Sequence, residues 1–570
     1  MRDEPRIVAF LCSWCAYAAA DRAGQARLAY PQSLLTVRVT CAGRVEPAFV
    51  LQAFREGADG VLVAGCHPGD CHYVDGNLRA AARHAVLARA LEQAGIEPAR
   101  LRLAWAGANE GERFAGIVRE MTEELRALGP LAYRRRALDD VHDALELAPH
   151  RVDAIERPRP TPPRRPGKPR VAFYWNASCG GCEEAVIDLG DGFAELLEKV
   201  EVVLWPAAFD FKRSDVEAIP DGGVDVAFVN GAVRLTEDDE WAQLLRRKAR
   251  TLVAFGACAH LGGVVGLGNL SGPEEILDAA YRRAPSISNP DAVLPGRPVQ
   301  AAGHALSLPV LLSRTLTLAE VVQVDCTIPG CPPSPAVISA ALDALLAGEP
   351  PPPGAVLAPN VSLCESCPRR GSRPERLELR ALRRIATSAI EPEACFLAQG
   401  LVCLGPATRQ GCQPGCVEAG MPCRGCFGPL DGVRDAGAAM LSGFASLFQG
   451  GEEERRALAA AVPDPVGTFW RYTYAAGLAP ARVRPVSEAE PRRGGGGAGV
   501  NGERRAEGHA DERAPERAGG PGRHEPSGGE GVDGGRRAQG HADERGPERA
   551  GGPGGREPSG GEASVPPARR

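Results

Sequence analysis

An α/β fold with parallel sheets is what this 570-residue sequence predicts, and three observations predict it. From residue 6 to 129, strand-length apolar runs rich in branched residues alternate with helix-length stretches. The alternation resumes at "RVAFYW" and continues through "VDVAFVNG", "TLVAFGAC" and "VVQVDCTIPGC". In both stretches cysteines fall where a predicted strand ends, the edge at which open parallel sheets bind their ligands.

Each element has its own signal. "RIVAFLC", "LLTVRVTC", "GVLVAGC" and "RLRLAWAG" read as the four strands of the first unit. "PAFVLQAFREG", "NLRAAARHAVLARALEQAG" and "GERFAGIVREMTEELRALG" read as helices after the second, third and fourth. Residues 150–169, rich in Pro and Arg, suit a stiff linker. After "GEPPPPGAVLAPN" the character changes: residues 360–450 have short elements, many Gly and Pro, and eight cysteines, as if folded around something other than an apolar core. From about 487 the chain is Gly, Arg, Glu, Ala and Pro. There "RRAEGHADERAPERAGGPG" at 504 returns at 536 as "RRAQGHADERGPERAGGPG", a period of 32. With nothing to bury, this tail is expected to be disordered.

The bulk numbers exclude some functions. With 66 basic and 72 acidic residues the net charge is −6, which gives no electrostatic case for nucleic acid. No apolar run approaches the ~20 residues of a membrane span. The start "MRDEPRIVAFLCSWC" has neither a long apolar core nor a twin-arginine signal, so a cytoplasmic location is expected. Thiols stay reduced there, and clustered ones usually bind metal or do redox chemistry. The eighteen cysteines are therefore ligand candidates.

They fall into sets. Cys12, Cys41 and Cys66 end three predicted strands, with Cys15 and Cys71 a few residues beyond, so five thiols converge on one rim. A 2Fe–2S cluster needs four thiolates, or two Cys and two His. His67 and His72 make the mixed set conceivable, but five sulfurs favour all-cysteine ligation. In the second unit Cys179 and Cys182 follow one strand, Cys258 another and Cys331 a third, enough to hold a cubane. Cys364, Cys367, Cys395, Cys403, Cys412, Cys416, Cys423 and Cys426 divide into two further sets of four, with Gly and Pro between them for sharp turns and close approach. Tetrahedral zinc also takes four Cys and stays open as an alternative. Cys326, inside a predicted strand, reads as a buried inert thiol.

Residues 1–130 closely resemble the delta subunit of methyl-viologen-reducing hydrogenase, on "FLCSWCAYAAADRAG", "VTCAGRV", "GADGVLVAGCHPGDCHYVDGN" and "LGP". Residues 170–450 resemble the small subunit of nickel–iron hydrogenases of the cytoplasmic methyl-viologen-reducing group, on "CGGCEE", "GACAHLGG", "PGCPPSP", "CLGPAT" and "PCRGCFGP". The fold class expected is two flavodoxin-like parallel-sheet domains, an irregular cysteine-rich cluster domain and the tail. The boundaries expected are 1–149 for the 2Fe–2S domain, 150–169 for the linker, 170–350 for the proximal-cluster domain, 351–486 for the cysteine-rich domain and 487–570 for the tail.

The resemblance implies a proximal 4Fe–4S cluster on Cys179, Cys182, Cys258 and Cys331. It implies a distal one on Cys364, Cys367, Cys395 and Cys403, and a medial one on Cys412, Cys416, Cys423 and Cys426. Many relatives have His at the first distal position, and many periplasmic ones have a non-ligand where Cys416 stands; here both are sulfur. Four of Cys12, Cys15, Cys41, Cys66 and Cys71 would hold a 2Fe–2S cluster. No pair of CxxC motifs is left for nickel, so dihydrogen would be split in a partner large subunit, with electrons leaving for heterodisulfide reductase-type, flavin-containing partners. Glu183 is a candidate proton-path residue; the plain alternative is a carboxylate favoured by a helix N-terminus. An iron–sulfur subunit of a respiratory-complex-like dehydrogenase and a zinc-stabilised scaffold are the other readings.

Overall fold

The computed structural model of the chain describes residues 4–131, 167–295, 299–306, 308–347 and 351–479. The expected tail and its 32-residue duplication, and all but the last three residues of the expected linker, lie outside the described residues.

The first unit runs β1 (Ile7–Cys12), α1 (Ala16–Gln25), β2 (Leu34–Val39), α2 (Pro47–Arg55), β3 (Gly60–Gly65), α3 (Gly76–Gln93), β4 (Leu101–Trp105) and α4 (Gly111–Leu128). Its four strands are parallel in the order β2-β1-β3-β4. Every residue of β3 is buried, as its unbroken apolar run requires, whereas β2 is an edge strand and largely exposed. All four predicted strands and all three predicted helices are present. One helix was not foreseen. α1, "AYAAADRAGQ", buries Ala16, Ala19 and Ala23 against Phe114, Val118 and Met121 of α4. Methyl groups at that spacing suffice for close helix packing, but a stripe of alanines has none of the large apolar side chains that mark the other helices in the sequence.

The second unit contains β5 (Arg170–Trp175), α5 (Gly181–Ile187), α6 (Asp191–Lys199), β6 (Glu201–Leu204), β7 (Val224–Asn230), β8 (Val233–Leu235), α7 (Thr236–Lys248), β9 (Ala249–Phe255), α8 (Gly256–Leu261), β10 (Leu311–Leu316), β11 (Cys326–Ile328), α9 (Pro335–Leu346) and β12 (Ala355–Val356). Six strands form a parallel sheet in the order β12-β11-β9-β7-β5-β6. One face carries α5, α6 and α9 through Ala185, Leu196, Ile338 and Leu342. The other carries α7 through Trp241 and Leu245, packed with Leu312 and Leu316 of β10, which pairs with β8 as an antiparallel ribbon.

Residues 357–435 are turns, short 3₁₀ segments and one short helix, Gly415–Glu418, and a cap of three helices follows: α10 (Ala436–Ala445), α11 (Glu452–Ala461) and α12 (Pro465–Phe469). Asp435 organises the cap, accepting from Ala438 N–H at 2.8 Å, Trp470 Nε1–H at 2.7 Å and Leu478 N–H at 2.5 Å. The cap docks on the first unit. Val86, Leu87 and Ala90 of α3 share one core with Leu441, Phe444, Leu458, Val462 and Val466. Arg89 donates to Ala459 O and Val462 O, both at 2.7 Å, and Gln93 exchanges bonds with Asp464 and Val466 N–H. The described residues thus form one compact unit.

Candidate metal centres

In the second unit the strands deliver the thiols. Cys179 follows β5, Cys182 lies in the first turn of α5, Cys258 lies in α8 directly after β9, and Cys331 follows β11. All stand at the carboxyl edge of the parallel sheet, as predicted. Burial pushes the Cys182 thiol up first, and the thiols of Cys258, Cys331 and Cys179 add to it by repulsion; Cys258 is pushed up to about 12 for the same reasons. Cys182, Cys258 and Cys331 all resist ionising beside one another, and such thiols are donors that a cationic centre fits, since a coordinating thiol is deprotonated outright. The backbone approaches them closely. Gly256 has φ +85°, and a Cβ there would lie 2.3 Å from Cys182 Sγ. Cys326, by contrast, is fully buried in β11, away from this edge.

Glu183 is buried. Its Oε2 accepts from Trp205 Nε1–H and its Oε1 from Asn230 Nδ2–H, both at 3.1 Å, and Asn230 in turn accepts from Ser178 Oγ–H beside Cys179. Burial raises its carboxyl above the usual range. Its oxygens tie α5 to β7 and to the turn before the first thiol, a bracing arrangement that the sequence reading did not contain.

The cysteine-rich segment supplies the next two sets. Cys364, Cys367, Cys395 and Cys403 line one cavity together with Leu363, Phe396 and Val417. Burial pushes Cys364 up to about 11 and Cys403 to about 12, with repulsion from neighbouring thiols adding to both. Burial and neighbouring thiols raise Cys412, Cys423 and Cys426 likewise, Cys416 being one of the neighbours of Cys412 and Cys423. Cys423 reaches about 11, mainly through burial, and its Sγ lies 3.5 Å from Thr408 Oγ1.

These sets adjoin. Cys426 interacts with Cys331 of the sheet-edge set, and Tyr472 stands beside both; burial, then these thiols, push its hydroxyl up to about 12. At the other end Cys423 interacts with Cys403 and helps line the cavity of the Cys364 set. The spatial order is therefore the sheet-edge set, the Cys412 set, then the Cys364 set, which differs from their order along the chain.

In the first unit the five thiols do converge. Cys12 Sγ is 3.8 Å from Cys66 Sγ, close to the spacing of two thiolates sharing a tetrahedral metal with ~2.3 Å bonds. The neighbouring Cys41 thiol, with the amides of Trp14 and Cys15, brings the Cys12 thiol down while Cys41 is pushed up. Cys15 touches Cys66 and feels Cys71. Gly76, opening α3, is again a close approach: a Cβ there would lie 2.4 Å from Cys41 Sγ and 3.3 Å from Cys71 Sγ. Neither His67 nor His72, the histidines that made a mixed set conceivable, has its ring paired with a sulfur. His67 Nε2 pairs with Glu110 Oε2 at 2.7 Å, and His72 stacks on Trp14 with ring centroids 3.6 Å apart. Asn77 was missed in the sequence: its Nδ2 donates to Cys66 O at 3.1 Å and His67 O at 2.7 Å, pinning the loop that carries two of the thiols. A buried amide at a helix start, inside "CHYVDGN", was the available signal.

Among the described residues, no group of three or more His, Cys, Asp or Glu side chains is arranged to hold a single metal ion, and no helix is long and apolar enough to cross a membrane.

Residues 7–129 match the family described as methyl-viologen-reducing hydrogenase, delta subunit, and residues 179–345 match the family described as NADH ubiquinone oxidoreductase, 20 Kd subunit. The G-type iron–sulfur subunit of the F420-non-reducing hydrogenase of Archaeoglobus profundus is 34% identical over 283 residues, 49% of this chain and 88% of that protein. The D-type iron–sulfur subunit of the same hydrogenase and organism is 49% identical over 132 residues, 23% of this chain and 96% of that protein. The N-terminal unit is also 48% identical over 127 residues to the A-type subunit of the ferredoxin/F420H2-dependent CoB-CoM heterodisulfide reductase of Methanosarcina acetivorans, 22% of this chain and 16% of that protein.

Fold, thiol sets and these likenesses together define an iron–sulfur subunit of an oxidoreductase. The chain belongs to the iron–sulfur subunits of the F420-non-reducing hydrogenases, with a D-like region and a G-like region joined in one polypeptide.

Proposed function

We propose that this chain is the electron-transfer subunit of a cytoplasmic nickel–iron hydrogenase, receiving electrons from a partner large subunit that oxidises dihydrogen. Three 4Fe–4S clusters on the sets of Cys179, Cys412 and Cys364, and a 2Fe–2S cluster on four of the five N-terminal thiols, would supply one-electron transfer. The observation that supports this most is the end-to-end adjacency of the sets: Ser334 Oγ–H beyond Cys331 donates to Gly411 O beside Cys412 at 2.9 Å, and Leu404 N–H beside Cys403 donates to Cys423 O at 3.0 Å. A scaffold stabilised by separate zinc sites gives no reason for such an order. The protein's own contribution is to hold sulfur donors in low-dielectric pockets, keep side chains from crowding them at Gly256 and Gly76, and brace the loops through Glu183 and Asn77.

The acceptor proposed is a heterodisulfide reductase-type flavoprotein, reached through the N-terminal unit. The reading is supported by the likeness of that unit to part of a heterodisulfide reductase polypeptide. The respiratory-complex alternative rests on the family matched at 179–345, but the relatives matched over most of their length are hydrogenase subunits.

The test is the metal content of the protein isolated anaerobically with whatever binds it. About fourteen irons per chain are expected from three four-iron clusters and one two-iron cluster, with roughly one nickel and its iron when the large subunit is bound. Iron without nickel would keep the electron route and point to another donor. Zinc in place of iron would overturn the reading.

A further inference from the structure

We infer that Arg83 is a positioning residue that fixes the Cys41 loop of the N-terminal site onto helix α10 and so sets the crossing from the Cys364 set to the five-thiol site. The inference rests on the functional reading above. Arg83 projects from the middle of α3, and its guanidinium bonds both partners at once. Its Nη1 donates to Gly43 O at 2.5 Å, its Nη2 to Ser446 Oγ at 2.8 Å and its Nε to Ser442 O at 3.3 Å. Ser442 and Ser446 belong to the last turn and C-cap of α10, where the helix dipole favours a cation, and Ser446 Oγ–H itself donates to Ser442 O at 2.6 Å. Gly43 lies two residues past Cys41, and its N–H donates to Cys41 Sγ at 3.4 Å. A fork-shaped guanidinium can hold these three acceptors in one plane; an ammonium offers a point charge with no fixed fork.

The far end of the connection is also in place. α10 packs against the 3₁₀ turn Gly405–Ala407, which directly follows Leu404 and the Cys403 thiol. Cys395 and Cys403 pack against the same apolar core as Ala42 of the Cys41 loop. The chain of contact therefore runs Cys403, the Gly405 turn, α10, Arg83, Gly43, Cys41. Hydrogen bonds to cluster sulfurs help set cluster potential, so a loop held by Arg83 governs both the placement and the tuning of the N-terminal centre.

The experiment uses the full chain in its anaerobic complex, with Arg83→Met, Arg83→Lys and, as a docking control, Arg89→Met. Arg89 ties the same helix to α11 carbonyls but touches no thiol loop. Dihydrogen-driven reduction of the N-terminal centre is followed by rapid-freeze spectroscopy, its midpoint potential by redox titration, and dihydrogen-driven reduction of a viologen dye in parallel. In Arg83→Met the N-terminal centre should be reduced about tenfold more slowly or worse, with a shifted midpoint potential, while dye reduction stays within about twofold. Arg83→Lys should recover part of the rate, and Arg89→Met should leave the midpoint potential at its wild-type value. Equal effects of Arg83→Met and Arg89→Met, or an unshifted potential in Arg83→Met, would reduce Arg83 to a docking contact and overturn the inference. A wild-type complex whose N-terminal centre takes no electrons from dihydrogen would overturn the functional reading and this inference with it.

Discussion

At the scale of single residues, the thiols differ in what their loss should do. Cys416 is exposed in the short helix Gly415–Glu418, yet it acts on Cys412 and Cys423. Cys416→Ala should cost about one iron per chain and give the spectrum of a three-iron centre, whereas Cys326→Ala should leave iron unchanged because Cys326 sits inside β11, apart from the thiol sets. Equal iron loss in both would remove the distinction between ligand and inert thiol. Glu183→Gln keeps one acceptor oxygen but turns an NH2 toward a donor, so it should destabilise by about 1–3 kcal/mol while dihydrogen turnover of the complex persists. A collapse of turnover with unchanged thermal stability would restore the proton-path role. His260 supplies a pH dependence. Burial first, and Arg409 next, bring its imidazole down from 6.5 to about 4, and its Nδ1 is buried without a partner. Below the ordinary value the unfolded chain takes up a proton that the folded chain refuses. Stability should therefore be fully present above about 6.5 and fall as pH drops toward about 4, and His260→Gln should flatten that slope. Thermal unfolding of the anaerobic protein against pH measures it, and an unchanged slope in the variant would assign the loss to other groups.

At the scale of elements, the strands were legible because a buried parallel strand must be an unbroken apolar run, as in "GVLVAG" of β3. The cysteines were legible because each strand's end is fixed once the strand is. Two things were hidden. α1 packs by alanine methyls, a buried face without large apolar side chains to announce it. The adjacency of the cysteine-rich sets depends on turns that bring Cys423 back beside Cys403 and Cys426 beside Cys331, contacts that no local pattern encodes. Glycines lay between those extremes. "FGAC" announces a turn, but only the fold reveals that Gly256 stands where a Cβ would strike Cys182 Sγ at 2.3 Å. Gly256→Ala should therefore prevent that whole centre from assembling: about four irons lost per chain, with the other sets intact. Full iron content in that variant would mean the strand end yields more than the geometry allows.

At the scale of the whole molecule, the decisive feature is that the D-like unit is packed onto the G-like region as well as tethered to it. α3 buries Val86, Leu87 and Ala90 against α10, α11 and α12, and its polar side chains are spent on the carbonyl ends of those helices. One charge pair, Arg455 with Asp75 at 3.7 Å, crosses the same face. Such an interface is mainly apolar and hydrogen-bonded, so salt should weaken it little: screening at ~1 M acts on exposed charges, while buried groups feel it least. Residues 1–149 and 150–570 produced as two chains in one cell should consequently co-purify one to one and stay together in about 1 M salt. Leu87→Ala, which opens a hole at a nearly fully buried position, should cost about 2–4 kcal/mol of that association and let the halves separate at low concentration. Separation of the unsubstituted halves during gel filtration would mean that the tether, and not α3, holds the two redox regions in register.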